Sequence, residues 1–427
     1  HECMTYNVLQ SLIMLNAALS QEKDKDYLFH TGNKKTLAFV MENLAMACFH
    51  FAGFEFLRQV ERAHDHILQQ LNKPHGVAEQ FKQQAVEALY QISAALQDQT
   101  WCEHIQQGDV LYKTEHPEER LLLSWSRRGS IWLTSEELLL LRNEYHKKAA
   151  HVLDAKGLIE ELLRCGAQYK HRKTGCTVSS ATHRSPKTIS TPKRNEPFLS
   201  EPSSQVPALP AAFDDVLVHT STSTKLNGIL QEILEAVPDE KVLVFSTLHQ
   251  VLNELAKALE LCKVPFLFYV SGMPQHLRNT YVNAFAHKPQ FRCLLMSTAI
   301  GGSGLDLHCA SRIILAEPIW QWDLESQAVK RAWRIGQTRR VLVSTYVMRH
   351  TYEERLIERK KARFLNGTDA AEQLQTLIDD PGMREFLARP HLVQAPSKKR
   401  EIAWTRPLLG DPSKHSLVHT SKRARHT

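Results

Sequence analysis

Five short apolar runs recur through the second half of this 427-residue chain, and a segment long enough for a helix follows each of them. Their residues are apolar at successive positions, which is typical of strands that are buried on both faces. Such strands alternating with helices predict an α/β fold whose parallel sheet is covered by helices on both sides. Ligands of such sheets bind at the carboxyl ends of the strands. The predicted strands are residues 242–246, 266–269, 294–297, 313–316 and 341–347.

The first part of the chain has the period of amphipathic helices instead. Residues 8–20 and residues 37–57 are predicted to be helical, and so is the run from Phe81 to Leu96, whose apolar residues recur at three- and four-residue spacing. Residues 20–166 are therefore expected to be mostly helical, and they contain no recognisable catalytic constellation.

A further helix is marked by its start signal. Thr134 and Glu137 have the spacing of a capping box ahead of a leucine run, and Gly166 is expected to close the helix. Just before it, residues 121–133 contain two short apolar runs around a polar turn. We expect these residues to form a short hairpin.

The net charge of +7 is unevenly distributed along the sequence. Residues 170–197 carry a net +6 and residues 391–427 carry another +6, so the rest of the chain is acidic. Residues 170–210 are rich in Ser, Thr, Pro, Lys and Arg without a hydrophobic period, which predicts a disordered linker. Basic segments can neutralise phosphates and strengthen nucleic-acid binding. A solvated, disordered segment without a ligand is the alternative interpretation of each one.

The eight cysteines are scattered, and no two of them form a C-x-x-C pair. This spacing predicts reduced thiols inside a cell and argues against a structural zinc site or a disulfide framework. His64, His66 and His75 lie close together, but such a cluster is expected by chance among 22 histidines, so no metal site is predicted. No apolar run approaches the roughly 20 residues of a membrane helix, so we expect a soluble protein with no membrane partner.

A glycine-rich turn follows the third predicted strand. Ser297 and Thr298 come directly after the buried run, so their hydroxyls and the turn amides are expected at the carboxyl edge of the sheet, where they can hold phosphate oxygens. Gly301, Gly302 and Gly304 allow the backbone to approach a ligand closely. A tight connection between strand and helix is the alternative explanation of the same glycines.

Two arginines recur on the helix predicted after Trp322. Gln327, Arg331 and Arg334 fall at positions i, i+4 and i+7, so all three are expected on one helical face. Two guanidinium groups on one face repel each other unless an anion lies between them, and a γ-phosphate in transfer is a natural partner. The alternative is a face that is solvated or paired with Glu325.

The segment from Ser223 to Arg363 resembles the second helicase lobe of the Swi/Snf-like family of superfamily 2 DNA translocases. This resemblance implies a RecA-like C-terminal lobe preceded here by a mostly helical region. The combination of Q-A-x-x-R-x-x-R-I-G-Q with the glycine motif is more specific than either part. The motifs that carry the resemblance are, in chain order, residues 223–226, residues 242–246, Gly272 with Arg278 and Phe285, residues 297–307, Trp320, residues 327–337 and residues 351–354.

The resemblance also implies residue roles. Arg331 and Arg334 reach the γ-phosphate of ATP across a cleft between two lobes, and Gln327 helps to place them. The residues implied in nucleotide binding or in its link to DNA are Gly302, Gly304 and Asp306, and those implied in contacts with the DNA backbone are Ser246, Thr298 and Arg278. Contacts to phosphates follow a strand without reading its sequence.

Several positions depart from the family pattern. Asp306 stands where Asn is usual, Lys330 where Asp is usual, Trp333 where His is usual, and Gln321-Trp322 replaces Asn-Pro. Asp306 is expected to weaken phosphate contacts by repulsion of like charges. Because both arginines are kept, we expect these departures to affect the efficiency of coupling between ATP and DNA movement more than the response to ATP itself.

The first half of such a motor is missing from the sequence. Neither a Walker A loop nor an acidic Mg²⁺-binding box is present, although the resemblance implies ATP and Mg²⁺ as cofactors, both held mainly by a first lobe. The sequence is therefore interpreted as the C-terminal part of an ATP-dependent DNA translocase or chromatin-remodelling helicase that is inactive alone. The predicted divisions are residues 1–20 as the end of a first lobe, 21–169 as a helical insertion, 170–210 as the linker, 211–365 as the C-terminal lobe and 366–427 as a basic tail.

Two other functions remain open at this point. The first is a catalytically inactive module that binds DNA or a partner and has no ATP-binding lobe. The second is an RNA helicase of the same superfamily, against which residues 335–337 argue. For the favoured function, the resemblance implies double-stranded DNA or chromatin as partner, with other remodelling subunits, and a nuclear location, to which short basic runs such as residues 398–400 can contribute as import signals.

Overall fold

The computed structural model describes residues 1–19, 28, 31–73, 77, 79–152, 154–174, 210, 213–298, 305–365, 377–388, 392–394 and 402–410. The predicted linker beyond residue 174, the glycines at 301, 302 and 304, and most of the predicted basic tail lie outside these ranges. Within them, no helix combines the length and the apolar character needed to cross a bilayer.

A five-stranded parallel sheet forms the second half of the molecule, and its strand order is β5-β6-β4-β7-β8. All five predicted strands are confirmed, with ends shifted by at most a few residues. The strands are β4 (Val242–Ser246), β5 (Phe266–Tyr269), β6 (Cys293–Ser297), β7 (Arg312–Leu315) and β8 (Leu342–Thr345).

Helices cover both faces of this sheet, which explains why its strands are apolar at successive positions. Val242 and Val244 enter the core beneath one face, whereas Leu243 and Phe245 enter a separate core beneath the other. The predicted α/β fold, a parallel sheet covered by helices on both faces, is therefore confirmed. The helices of this part are α9 (Thr224–Ala236), α10 (His249–Leu261), α11 (Gln275–His287), α12 (Trp322–Lys330) and α13 (Tyr352–Leu365).

The first part of the chain is mostly helical, as predicted, and most of its helices build a third core together with α13 and a later helix, α14 (Pro381–Ala388). The helices are α1 (Glu2–Leu19), α2 (Lys34–Ala47), α3 (Phe54–Leu71), α4 (Glu79–Gln97), α5 (Gln99–Gln107), α6 (Glu119–Trp125), α7 (Ser135–Ala149) and α8 (Ala155–Thr174). Residues 37–57 were predicted to form one helix but lie in two, because α2 ends at Ala47 and α3 begins at Phe54, directly after Gly53.

The predicted capping box is present at the start of α7. The Thr134 hydroxyl accepts a hydrogen bond from the Glu137 N–H at 3.2 Å, and the Glu137 carboxylate accepts one from the Thr134 N–H at 2.8 Å. The predicted end of this helix at Gly166 is wrong. Helix α7 ends at Ala149, the next helix, α8, begins at Ala155, and Gly166 lies inside α8. A Cβ at Gly166 would lie 2.9 Å from the backbone of Ser124, so the glycine allows α8 to pack closely on α6.

The hairpin predicted for residues 121–133 is also wrong. Residues 119–125 form helix α6, because Leu121, Leu122 and Trp125 all bury on one helical face. Residues 132–134 instead form a strand of a second, antiparallel sheet, whose strand order is β2-β1-β3-β9. Its strands are β1 (Leu111–Glu115), β2 (Trp132–Thr134), β3 (Leu217–Ser221) and β9 (Arg406–Pro407). This sheet joins the helical region to the strand that leads into α9.

A strap formed by residues 402–410 closes the edge of the second sheet. Trp404 is 2% exposed, its backbone N–H donates to the His219 carbonyl at 2.7 Å, and its indole N–H donates to the Asn227 side chain at 3.1 Å. The Asp215 carboxylate accepts from the N–H groups of Leu409 and Gly410 at 2.8 and 2.6 Å. Part of the predicted basic tail is thus a component of the core.

We expect the Trp404→Ala variant to lose about 3–5 kcal/mol of unfolding free energy, because it removes a buried indole and leaves a cavity between the strap and β3. Urea unfolding and amide hydrogen exchange of β3 measure the effect. The control is Trp333→Ala, whose side chain is 68% exposed and whose loss is expected to change stability by about 0.5 kcal/mol or less. Equal stability of the two variants would contradict a structural role for the strap.

Candidate functional site

The two predicted arginine fingers lie at the end of α12 and in the turn beyond it. Helix α12 ends at Lys330, and the Trp333 N–H bonds the Val329 carbonyl at 3.0 Å as the chain turns away. The prediction of one continuous helical face is therefore wrong for Arg334, because the helix stops too early. Arg331 and Arg334 nevertheless line one concavity of 740 Å³, together with Gln327, Lys330, Trp333 and Ile335.

The electrostatics of this concavity favour an anion. None of the described residues that line it carries a carboxylate, whereas three are cationic. Burial lowers the pKa of the Arg331 guanidinium, and the charge of Arg334 lowers it further. Glu325 does not serve as a counter-charge here, because its carboxylate bonds the Lys360 ammonium on α13. A phosphate group fits a surface of this kind, since it relieves the mutual repulsion of the guanidinium groups.

Gln337 holds the arginine turn in place. Its amide Nε2 donates to the carbonyls of Ala310 at 2.8 Å, His308 at 2.9 Å and Ala332 at 3.2 Å. The preceding residue, Gly336, has a φ of +100°, a backbone conformation that a side chain would strain. Sequence reasoning treated Gln337 only as the end of a motif and missed this positioning role.

The loop of residues 305–311 lies against the arginine turn and leads into β7. The Arg334 guanidinium donates to the Leu305 carbonyl at 3.2 Å, and the Leu307 N–H donates to the Arg331 carbonyl at 3.0 Å. Asp306 belongs to this loop, and its carboxylate lies 2.9 Å from His308 Nδ1. The hydrogen bond from the His308 side chain lowers the pKa of Asp306, and the Arg334 charge adds to the effect. The structure thus brings Asp306 close to the arginines, whereas Gly302 and Gly304 are outside the described residues.

The residues predicted to contact DNA lie elsewhere, two of them at the carboxyl ends of strands. Ser246 ends β4 and is 1% exposed, and its hydroxyl donates to the Glu317 carboxylate at 2.9 Å. A side chain buried and bonded in this way cannot reach a ligand, so the structure argues against a direct contact from Ser246. Thr298 follows β6 and is also buried, and Arg278 is half-buried on α11.

The next residue, Thr247, is exposed where Ser246 is not. Its hydroxyl donates to the Glu317 carboxylate at 2.8 Å, and its N–H bonds the same oxygen. Burial raises the pKa of Glu317, against the lowering effect of its hydrogen bonds from Thr247. Glu317 therefore fixes the turn after β4, and sequence reasoning assigned this glutamate no role.

A buried ion pair joins the two ends of the lobe. Lys225 Nζ lies 2.6 and 2.8 Å from the two carboxylate oxygens of Glu353, and the side chains are 2% and 0% exposed. The same carboxylate accepts from the Met348 N–H at 2.8 Å. Burial raises the pKa of Glu353, and Lys225 opposes that shift. Sequence reasoning noted both residues within motifs, but 128 positions separate them and nothing local paired them.

The described residues offer no cluster of three or more His, Cys, Asp or Glu side chains that is suited to a metal ion. Asp306 already bonds His308, and Glu317 and Glu353 are buried with their own donors. The described part of the lobe therefore fits a phosphate but does not supply a carboxylate site for Mg²⁺.

Residues 224–336 match the family model described as the helicase conserved C-terminal domain. The chain is 33% identical over 172 residues to the DNA repair protein rad8 of Schizosaccharomyces pombe, covering 38% of this chain and 15% of that protein. It is 31% identical over 147 residues to the ATP-dependent helicase ULS1 of Saccharomyces cerevisiae, covering 33% of this chain and 9% of that protein.

The chain is also 34% identical over 146 residues to the E3 ubiquitin-protein ligase SHPRH of Mus musculus, covering 34% of this chain and 8% of that protein. The matched segment thus spans only a small part of the length of each of these relatives. Among solved structures, the C-terminal part of the Fun30 ATPase domain aligns with a TM-score of 0.35 and 17% identity, over 64% of this chain and 92% of that one.

We expect Lys225→Met to cost about 3–5 kcal/mol of stability, because the Glu353 carboxylate is left buried without its partner. The double variant Lys225→Met with Glu353→Leu is expected to lose much less than the sum of the single changes. Urea unfolding of the three variants measures the coupling. Lys34→Met is the control, since its ion pair with Asp379 is largely exposed and is expected to be worth about 1 kcal/mol or less. Additive losses would contradict the buried pair.

The raised pKa of Glu317 predicts a specific pH dependence of stability. The folded protein holds the proton on this carboxyl more tightly than the unfolded chain does, so the associated stability is present below pH 4.5 and is lost as pH rises through the folded pKa. Glu317→Gln keeps an acceptor for Thr247 but cannot ionise. In urea unfolding, the stability of wild type relative to this variant should therefore fall as pH rises from 4 to 8, and a constant difference would contradict the raised pKa of Glu317.

Proposed function

We propose a function from one premise: residues 224–336 match the helicase conserved C-terminal domain. The family match and relatives such as rad8 support the resemblance of this segment to the second lobe of Swi/Snf-like helicases. We infer that the segment acts as the second lobe of an ATP-dependent DNA translocase. The observation that carries the proposal is the concavity that Arg331 and Arg334 line together with Lys330.

The proposed role of the arginines is to bind the γ-phosphate of ATP. Charge spreads over the phosphoryl oxygens during transfer, and guanidinium groups held nearby stabilise that charge. Arg331 is half-buried at the end of α12, which limits its movement, and Arg334 is tied to the Leu305 carbonyl. Gln327 lines the same concavity, and Gln337 fixes the backbone between the arginines and β7. Together these side chains would orient the guanidinium groups before phosphate arrives.

The proposed DNA contacts lie at the carboxyl end of β6 and on α11. Thr298 and Arg278 keep the roles that the sequence predicted for them. We propose no contact at the end of β4, because the Ser246 hydroxyl and the N–H and hydroxyl of Thr247 all donate to the Glu317 carboxylate. Contacts of hydroxyl and guanidinium groups with phosphates would follow the DNA backbone without reading its sequence.

ATP and Mg²⁺ would be held mainly by a first helicase lobe. The sequence contains no Walker A loop, and the described residues provide no carboxylate cluster for a metal ion. ATP supplies the phosphoryl group whose transfer to water drives movement along DNA. The residues of this chain would bind its terminal phosphate, orient it and exclude water from one side.

Double-stranded DNA or chromatin is the proposed partner, with other remodelling subunits, and the nucleus is the proposed location. The support comes from the names of the relatives, which include a DNA repair protein and an ATP-dependent helicase, and from the two basic segments of the sequence. Basic segments of this kind would add salt-dependent affinity for phosphates.

We expect Arg334→Ala, in a protein that joins this lobe to an ATP-binding lobe, to lower DNA-stimulated ATP hydrolysis by a factor of about 10³–10⁵ while DNA binding changes little. Steady-state hydrolysis with and without duplex DNA, together with a binding titration, measures both. Arg355→Ala is the matched control, because its side chain is 43% exposed on α13 and pairs with Glu358.

Unchanged hydrolysis in Arg334→Ala would contradict the role of this arginine. If the wild-type protein binds DNA but does not hydrolyse ATP at all, the alternative function is correct, and the lobe is a binding module without catalysis.

A further inference from the structure

Strand β8 is the free edge of the parallel sheet. Among the described residues it pairs with β7 alone, and the Leu342 N–H donates to the Ser311 carbonyl at 2.9 Å while the Tyr346 N–H donates to the Leu315 carbonyl at 3.0 Å. In a parallel ladder the N–H and C=O of one residue point to the same side, and successive residues alternate. The backbone groups of Val343 and Thr345 therefore point away from the sheet, and they have no hydrogen-bond partner in the described part of the chain.

This edge lacks the usual protection against strand pairing. Natural edges commonly carry a lysine, a proline or a bulge that blocks a further strand. The sequence of β8 is Leu-Val-Ser-Thr, which contains none of these, and its pairing with β7 is regular over four residues. Leu342 is 37% exposed and Val343 is 44% exposed. The edge thus offers two donors, two acceptors and apolar side chains to an added strand.

A basic concavity of 450 Å³ lies beside the edge. Its lining includes Val343 of the strand, the exposed Trp333 and three arginines, Arg334, Arg339 and Arg340. The Arg339 guanidinium donates to the Asp239 carbonyl at 2.7 Å, which fixes its position. None of the described lining residues is acidic. A ligand that occupies both the edge and the concavity therefore needs an extended backbone and negative charge.

We propose that an extended acidic peptide of a partner protein binds along β8 as an additional strand. Its backbone pairs with Val343 and Thr345, and its carboxylates lie against Arg339 and Arg340. DNA fits this surface less well, because phosphates are only acceptors and cannot use the outward carbonyl groups of the strand. A second copy of this chain fits less well too, because the two basic concavities would repel each other.

The experiment measures binding of a short acetylated peptide in which glutamate alternates with valine and threonine, by fluorescence anisotropy with the full chain. Val343→Pro removes the outward N–H and leaves the hydrogen bonds to β7 in place, because proline is tolerated where the missing N–H faces away from the sheet. We expect this variant to keep the thermal stability of wild type and to bind about tenfold more weakly. Val343→Thr is the matched control, because it keeps both the N–H and the β-branched shape, and its affinity should match wild type.

Two further measurements identify the mode of binding. Hydrogen exchange at the amides of Val343 and Thr345 should slow when the peptide binds, and Arg340→Glu should weaken binding of the acidic peptide but not of a neutral analogue. Equal affinities of Val343→Pro and Val343→Thr would overturn the proposal. It would also be overturned if a short DNA duplex displaced the peptide and bound equally well to Val343→Pro, or if sedimentation showed a wild-type dimer that this variant lost.

Discussion

The ion pair between Lys225 and Glu353 is the contact on which the arrangement of the lobe depends. It joins the first turn of α9 to the first turn of α13 inside the protein, where neither charge can be hydrated. Helix α1 reaches the same place, since the Tyr6 hydroxyl accepts from the Tyr352 N–H at 2.8 Å. A buried pair of this kind adds little net stability, but it strongly disfavours any arrangement that separates its partners. The ion pair and this hydrogen bond thereby hold α1, α9 and α13 together.

That framework sets the geometry at both ends of the sheet. Lys225 and Glu317 are close enough to influence each other, so the charge cluster around the ion pair extends to the turn after β4. Near the start of β7, the chain uses uncharged contacts instead: Gln337 and backbone carbonyls hold the turn that carries the arginines. Arg331 and Arg334 line one concavity together with Lys330, and none of the described lining residues carries a carboxylate. A concavity of this composition suits the proposed binding of a phosphate.

The two sheets differ in whether a segment from elsewhere in the chain covers an edge strand. In the antiparallel sheet, residues 402–410 return from the far end of the sequence, pair with β3 and bury Trp404. In the parallel sheet, β8 keeps its outer backbone groups exposed and lies next to a basic concavity. Covering one edge stabilises the junction between the helical region and the lobe, whereas the open edge offers a place where a further strand can pair.

The sequence by itself determined the elements whose signals are local. The five apolar strands and the capping box of α7 depend on residues that lie close together in the sequence, so pattern and spacing predicted them. The tertiary structure decided what depends on contacts across the chain: the interior position of Ser246, the role of Glu317, the pairing of Lys225 with Glu353 and the docking of Trp404. The early end of α12 belongs with these, because the turn after it is fixed by Gln337 and the loop before β7. Each of these features is fixed by burial or hydrogen bonding between residues that are distant in the sequence. The local sequence is compatible with several conformations at each of these positions, so it could not predict them.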